Sequence, residues 1–167
     1  MRYVIGVGSN LGDPESIVVQ AIDDVASALE ASSEQRSSLY RTAPVGGPEQ
    51  PDYVNAVVIV DSSLEPMEVL ARLQGIEQQA GRVRDVRWGP RTLDLDIVLA
   101  DFLESDDPTL TLPHPRAHER AFVLVPWCEI DPQAMLPVHG SIAEIIERGL
   151  VDQEIEMLAG PQPKDRS

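Results

Sequence analysis

Residues 52–61, Asp-Tyr-Val-Asn-Ala-Val-Val-Ile-Val-Asp, read as a strand that is largely apolar on both faces. Such a strand belongs in the middle of a sheet covered on each side, so the rest of the chain must supply both neighbours and covers. Residues 2–8 alternate and read as one neighbouring strand. Asp13-Pro14 has the form of a helix start with proline at the first helical position. Val18, Ala21, Ile22, Val25, Ala28 and Leu29 keep helical spacing to about residue 31. Residues 36–42 read as another strand, and 43–51, with three prolines and two glycines, as a loop. Pro66 opens a second helix with an apolar stripe of Met67, Leu70, Leu73 and Ile76, and Gly81 stops it. Residues 93–100 form a fourth strand.

The order β-α-β-β-α-β predicts an α/β (α+β) fold of the ferredoxin-like kind, an antiparallel sheet with helices on both faces. A C-terminal extension follows: an acidic loop at 101–109, a short strand at 110–112 and a helical turn at 115–121. Ser141-Ile142-Ala143-Glu144 then resembles a capping box, opening a helix that ends near Gly149. Residues 1–158 are expected to form a single domain, and 159–167, polar and carrying two prolines, a disordered tail.

A chain of 167 residues buries a core without disulfides, and the single cysteine, Cys128, forms no intramolecular one. No apolar run reaches the roughly 18 residues of a membrane span, and the N-terminus lacks the form of a signal peptide. These features point to a cytoplasmic protein. The net charge of −15 argues against binding to nucleic acid or anionic membranes. The positive charge is nevertheless unusual in kind: of 13 basic residues only Lys164 is a lysine, and Arg82, Arg84, Arg87 and Arg91 fall in one ten-residue stretch. Arginine's planar, permanently charged fork suits phosphate oxygens. A solvated loop with scattered ion pairs is the other reading of the cluster.

Asp94 and Asp96 follow that stretch directly. Two apart on a strand, they project from the same face, opposite Leu93, Leu95 and Ile97. Two like charges so placed repel unless something compensates, and a divalent cation is the usual solution. A solvated sheet edge is the alternative for the pair alone; arginines beside it suit a magnesium-bound polyphosphate. Trp88 closes over a ligand or pins its own loop. Tyr53 and Asn55 share a face beside the proline-glycine loop and suit the floor of a flat, hydrogen-bonding heterocycle, or else a core tyrosine at a strand end. Phe122 reads as core, Glu77 as a surface residue, and Gly6-Val7-Gly8 as close backbone packing. Three separated histidines and one cysteine argue against a zinc site, and there is no P-loop, dinucleotide fingerprint or Gly-x-Ser-x-Gly.

The run Arg82-Val83-Arg84, then Arg87-Trp88-Gly89-Pro90-Arg91-Thr92-Leu93-Asp94-Leu95-Asp96-Ile97, closely resembles the signature of the 6-hydroxymethyl-7,8-dihydropterin pyrophosphokinase family. Gly8-Ser9-Asn10-Leu11-Gly12, Tyr40-Arg41-Thr42, Gln50 to Ala56, and Pro113-His114-Pro115-Arg116 with Arg120 and Phe122-Val123-Leu124 match in family order, so the resemblance covers about residues 1–150. Ala43 departs from it, proline often following the threonine, and no lysine or arginine lies between Arg91 and Arg116.

The resemblance implies a ferredoxin-like enzyme of folate biosynthesis that binds ATP with two magnesium ions. The pterin hydroxymethyl oxygen attacks the β-phosphorus and AMP leaves. Asp94 and Asp96 match the magnesium ligands, with Asp96 a candidate proton acceptor. Arg82 and Arg91 match arginines acting on the transferring phosphates. Glu77, Arg84, Trp88, Ile97, His114, Arg116 and Arg120 fall at or beside the ATP site. Thr42, Val45, Tyr53, Asn55 and Phe122 match the pterin pocket, Tyr53 and Phe122 sandwiching the ring. The implied partners are ATP and the pterin alcohol, for a protein acting as a monomer, and loops 43–51 and 82–92 are expected to close over the ligands. The alternatives are a non-catalytic small-molecule sensor and another magnesium-dependent nucleotidyl or phosphoryl transferase.

Overall fold

The computed structural model describes residues 1–44, 49–81, 92–149 and 153–160. Strand β1 (Arg2–Ser9) leads into helix α1 (Pro14–Ala28), whose N-cap Asp13 accepts a hydrogen bond from the Ser16 N–H. Strands β2 (Ser33–Arg36) and β3 (Leu39–Thr42) precede β4 (Tyr53–Asp61), the expected central strand. Helix α2 (Pro66–Gln79) and strand β5 (Asp94–Ala100) complete the first half of the fold. A small ribbon of β6 (Ser105–Asp107) and β7 (Leu110–Leu112) follows, then a 3-10 turn at Ala117–Glu119 and helix α3 (Ala121–Ile130). Strands β8 (Met135–Leu136) and β9 (Gly140–Ser141), helix α4 (Ile142–Glu147) and strand β10 (Ile155–Ala159) end the described chain.

The main sheet runs β10-β3-β4-β1-β5, with β2 also on β4, and each of its pairings is antiparallel. Helices α1 and α2 pack on one face, over Ile5, Val7, Val54, Ala56, Val58, Leu95 and Ile97. Helix α3, backed by α4, covers Val4, Val57, Ile59 and Val98 on the other. No helix among the described residues is long and apolar enough to cross a membrane.

The expected single strand at 36–42 is two strands. Arg36 pairs with Val58 and Tyr40 with Asn55, so four steps on one side span three on the other, which is a β-bulge. Ser37 and Ser38 fill it, both fully buried. The Ser37 N–H donates to the Val57 carbonyl, and its hydroxyl accepts from the Val57 N–H, each at 2.9 Å. The Glu129 carboxylate of α3 accepts from the Ser38 N–H at 2.8 Å and the Tyr40 hydroxyl at 3.0 Å, pinning the bulge to the opposite layer.

Three further expectations are revised. Helix α1 ends at Ala28, because Glu30 takes a positive φ of 52° and turns the chain. Helix α3 runs ten residues where only a turn to residue 121 was expected. Strand β10 extends regular structure to Ala159, within the expected tail, whose residues 161–167 lie outside the described ones.

Candidate active site

Strand register brings the candidate residues to one end of the sheet. Gly8 pairs with Asn55 on one side and Asp94 on the other, and Gly6 pairs with Asp96. These residues face the α3 side, since Leu95 and Ile97 point into the core beneath α1 and α2. With no side chain at positions 6 and 8, the floor between the carboxylates and Asn55 is bare, and a cleft of about 480 Å³ opens over it. A Cβ at Gly8 would lie 2.8 Å from Asn55 Oδ1, nearer than real Cβ contacts come. The glycine pair that reads as close packing in the sequence is therefore the cleft floor, and glycine inside a strand was the available signal.

One wall carries Thr42, Tyr53 and Asn55. The Asn55 amide donates to Thr42 Oγ1 at 2.7 Å, and both residues are buried. That bond fixes the amide with its oxygen turned over Gly8. Asn10, itself buried, donates to Gln50 Oε1 at 2.9 Å and to the Pro51 carbonyl at 3.0 Å, bracing the chain just before Tyr53.

The opposite wall comes from the start of α3 and the segment before it. Arg120 lies 3.7 Å from Asp96, and its guanidinium carbon is 5.4 Å from the centre of the Phe122 ring. Phe122 borders the cleft while its neighbour Leu124 is fully buried, so it is not simply core. His114 Nδ1 accepts from the Arg116 N–H at 3.2 Å, which leaves the proton of the neutral ring on Nε2. Burial, reinforced by the Arg120 charge, pushes the imidazole pKa down to about 4, so the ring is neutral at pH 7. Arg116 is exposed and pairs with Glu119 at 3.3 Å.

Thr42, Tyr53, Asn55, Phe122, Asp94, Asp96, His114, Arg116 and Arg120 thus share one cleft. Glu77 and Ile97 do not line it. Ile97 is buried beneath α1 and α2, and Glu77, expected on the surface, is buried at 2% exposure. Its carboxylate accepts from the Leu95 N–H at 2.9 Å, which explains why a charged side chain turns inward: it satisfies a backbone donor on the outermost strand, β5. Val45, Arg82, Arg84, Trp88 and Arg91, and most of the two loops expected to close, lie outside the described residues. Among the described residues no group of three or more His, Cys, Asp or Glu side chains gathers as a metal site. Asp94 and Asp96 supply neighbouring hard carboxylate oxygens at the cleft, while Glu119, also on its rim, pairs with Arg116; the aspartate pair suits magnesium, which commonly takes one or two carboxylates and fills its other positions with phosphate oxygens and water.

Fold and cleft together define an antiparallel α/β sandwich with a cleft at one end of its sheet, lined by acid and guanidinium on one side and by an aromatic ring and an amide on the other. Residues 4–132 match the family model described as 7,8-dihydro-6-hydroxymethylpterin-pyrophosphokinase (HPPK), and the chain belongs to that family. Curated relatives named 2-amino-4-hydroxy-6-hydroxymethyldihydropteridine pyrophosphokinase include one from Mycobacterium tuberculosis, 44% identical over 149 residues, covering 83% of this chain and 77% of the relative. Another, from Pseudomonas aeruginosa, is 41% identical over 145 residues, covering 87% of this chain and 90% of the relative. The crystal structure of Plasmodium falciparum HPPK-DHPS with SDX-DHP shares the fold, with a TM-score of 0.64 at 11% identity over 88% of this chain. The match spans 43% of that longer chain.

Proposed function

We propose that this protein transfers the pyrophosphoryl group of ATP to the hydroxymethyl oxygen of 6-hydroxymethyl-7,8-dihydropterin, giving the pterin diphosphate and AMP, as a step of folate biosynthesis. The observation that carries the reading is the meeting, in one cleft, of the Asp94–Asp96 pair and Arg120 with Tyr53, Asn55 and Phe122. Family membership supports it and leaves the non-catalytic sensor without support. We take the fold class to be ferredoxin-like and residues 1–158 to be a single catalytic domain, a reading that the antiparallel sheet with helices on both faces supports. The enzyme acts as a cytoplasmic monomer with no nucleic-acid or membrane partner.

In this reading Tyr53 and Phe122 hold the pterin ring between them, and Asn55, fixed by Thr42, reads its edge. Val45 completes that pocket. Asp94 and Asp96 hold two magnesium ions, which when bound neutralise phosphate charge and polarise the phosphoryl oxygens. Because the ATP phosphates carry about four negative charges at neutral pH, alignment and charge stabilisation dominate the chemistry. Arg82 and Arg91 take charge on the transferring phosphates, while Arg84, Trp88, His114, Arg116 and Arg120 line the ATP site, with Glu77 and Ile97 beside it behind β5. Neutral His114 offers its Nε2–H as a donor rather than a second positive charge. The hydroxymethyl oxygen bonds to the β-phosphorus, the bond from that phosphorus to the α–β bridging oxygen breaks, and AMP departs with that oxygen. The hydroxyl proton passes to Asp96 or to solvent.

Incubation with MgATP and the reduced pterin alcohol, with nucleotide products quantified, tests the reading. AMP is expected. ADP would indicate a simple kinase and released pyrophosphate a nucleotidyl transferase, and either would overturn it.

A further inference from the structure

Helix α3 begins at Ala121, and the Arg120 side chain at its N-cap makes no capping bond. The cap comes from 32 residues away: the Ala121 N–H donates to Gln153 Oε1 at 2.7 Å. The same amide donates from Nε2 to the Glu119 carbonyl at 2.6 Å. Gln153 therefore bridges the backbone groups on both sides of Arg120. An ordinary helix cap satisfies only the N–H groups of the first turn, so the Glu119 bond points to a further purpose. Only a side chain with both a donor and an acceptor can make both bonds. Glutamate lacks the donor and asparagine is one methylene shorter.

Two other observations give the clamp its meaning. Arg120 is the residue that joins the two halves of the cleft, lying 3.7 Å from Asp96 and 5.4 Å from the Phe122 ring. Two residues after Gln153, Ile155 of β10 pairs with Thr42, the partner that orients Asn55. One short segment thus ties down both walls, and Gln153 itself borders the cleft. It lies beyond residues 4–132, the part of the chain that the family model matches.

We propose that Gln153 is a positioning residue for the transfer, setting Arg120 against Asp96 and Phe122 against the pterin by clamping the Glu119–Ala121 backbone. The inference rests on the reading given under Proposed function, and two kinds of measurement keep their failures apart. In steady-state assays of AMP formation, Gln153→Ala raises the KM for the pterin alcohol about tenfold, the loss expected of one or two modest hydrogen bonds, and also lowers kcat. Gln153→Glu keeps the acceptor for the Ala121 N–H but turns a carboxylate oxygen toward the Glu119 carbonyl, so the Ala121 bond survives while the KM still rises. A merely structural role would lower kcat with the folded fraction and leave KM unchanged, and that result in Gln153→Ala overturns the proposal. Amide hydrogen exchange read by NMR needs no turnover: the Ala121 amide loses protection in Gln153→Ala and keeps it in Gln153→Glu. Unchanged protection in Gln153→Ala overturns the clamp, whereas a wild-type enzyme that forms no AMP overturns only the functional reading.

Discussion

On one face of the sheet, α1 and α2 cover Ile5, Val7, Val54, Ala56 and Leu95; on the other, α3 covers Val4, Val57, Ile59 and Val98 and leaves a cleft over Gly8, Asn55 and Asp94. The same strands supply both faces. The closed face is a hydrophobic layer whose members are buried and interchangeable in kind. The open face, at the end where Gly6 and Gly8 carry no side chains, replaces apolar contacts with oriented polar groups. Stability and chemistry are therefore separable by face, and substitutions on each should fail in different ways.

The largest expected effect is on the open face. Asp94→Ala lowers AMP formation by about three orders of magnitude or more, as removal of a charge-stabilising group does, without lowering the thermal midpoint. Near-normal turnover at saturating magnesium would break the comparison at its centre. Leu73→Ala on the closed face should do the reverse. Leu73 is fully buried in α2, and its truncation costs about 3 kcal/mol of stability in denaturant unfolding. Both KM values of the folded enzyme stay at wild type. A raised KM would mean that the faces are coupled.

Gly8→Ala sharpens the boundary between them. The new methyl would meet Asn55 Oδ1 at 2.8 Å, and Asn55 is held from behind by Thr42, so it has little room to yield. The KM for the pterin alcohol should rise about tenfold, the scale of a displaced polar contact, with a smaller change for ATP. Equal changes for the two substrates would argue that the glycine serves the backbone alone.

The closed face was the more legible one in the sequence. Val18, Ala21, Ile22 and Val25 mark α1 by period, and Leu73 and Ile76 mark α2, because a helix packed on one side must repeat its apolar residues every three or four positions. The alternation around Asp94 and Asp96 likewise fixes which way the carboxylates point. Helix α3 carries no such signal: Ala-Phe-Val-Leu-Val-Pro-Trp-Cys-Glu-Ile is apolar nearly all round, and Pro126 reads as a helix breaker. The Ser37–Ser38 bulge was hidden for another reason, since its partner Glu129 is about ninety residues away. Glu77 was misread because its carboxylate bonds a backbone donor on another element, the Leu95 N–H, which no local pattern encodes. Long-range polar bonds, which no hydrophobic period announces, thus hold Glu77 beneath the closed face as well as Glu129 on the open one.

Two buried tyrosines provide the smallest test, one for each face. Tyr3, beneath the closed layer, donates to the Leu64 carbonyl at 2.6 Å; Tyr40, on the open side, donates to Glu129 at 3.0 Å. Burial first, and nearby carboxylates second, push the Tyr3 phenol up to about 12 and raise that of Tyr40 as well. Below pH 10 both phenols keep their protons in the folded and unfolded chain alike. Above it the unfolded chain releases protons that the folded chain retains, so stability is complete below pH 10 and falls as pH rises beyond it. Tyr3→Phe and Tyr40→Phe should each cost about 1 kcal/mol at neutral pH, the worth of one hydrogen bond, and each should flatten part of the alkaline fall. The faces should differ in what else changes. Tyr3→Phe leaves both KM values alone, whereas Tyr40→Phe loosens the tie between α3 and β3 two residues before Thr42 and raises the KM for the pterin alcohol by about twofold, a fraction of that hydrogen bond. Urea unfolding between pH 8 and 11, paired with steady-state kinetics at pH 8, reads both effects; a Tyr40→Phe enzyme with unaltered KM would confine Glu129 to holding the layers together.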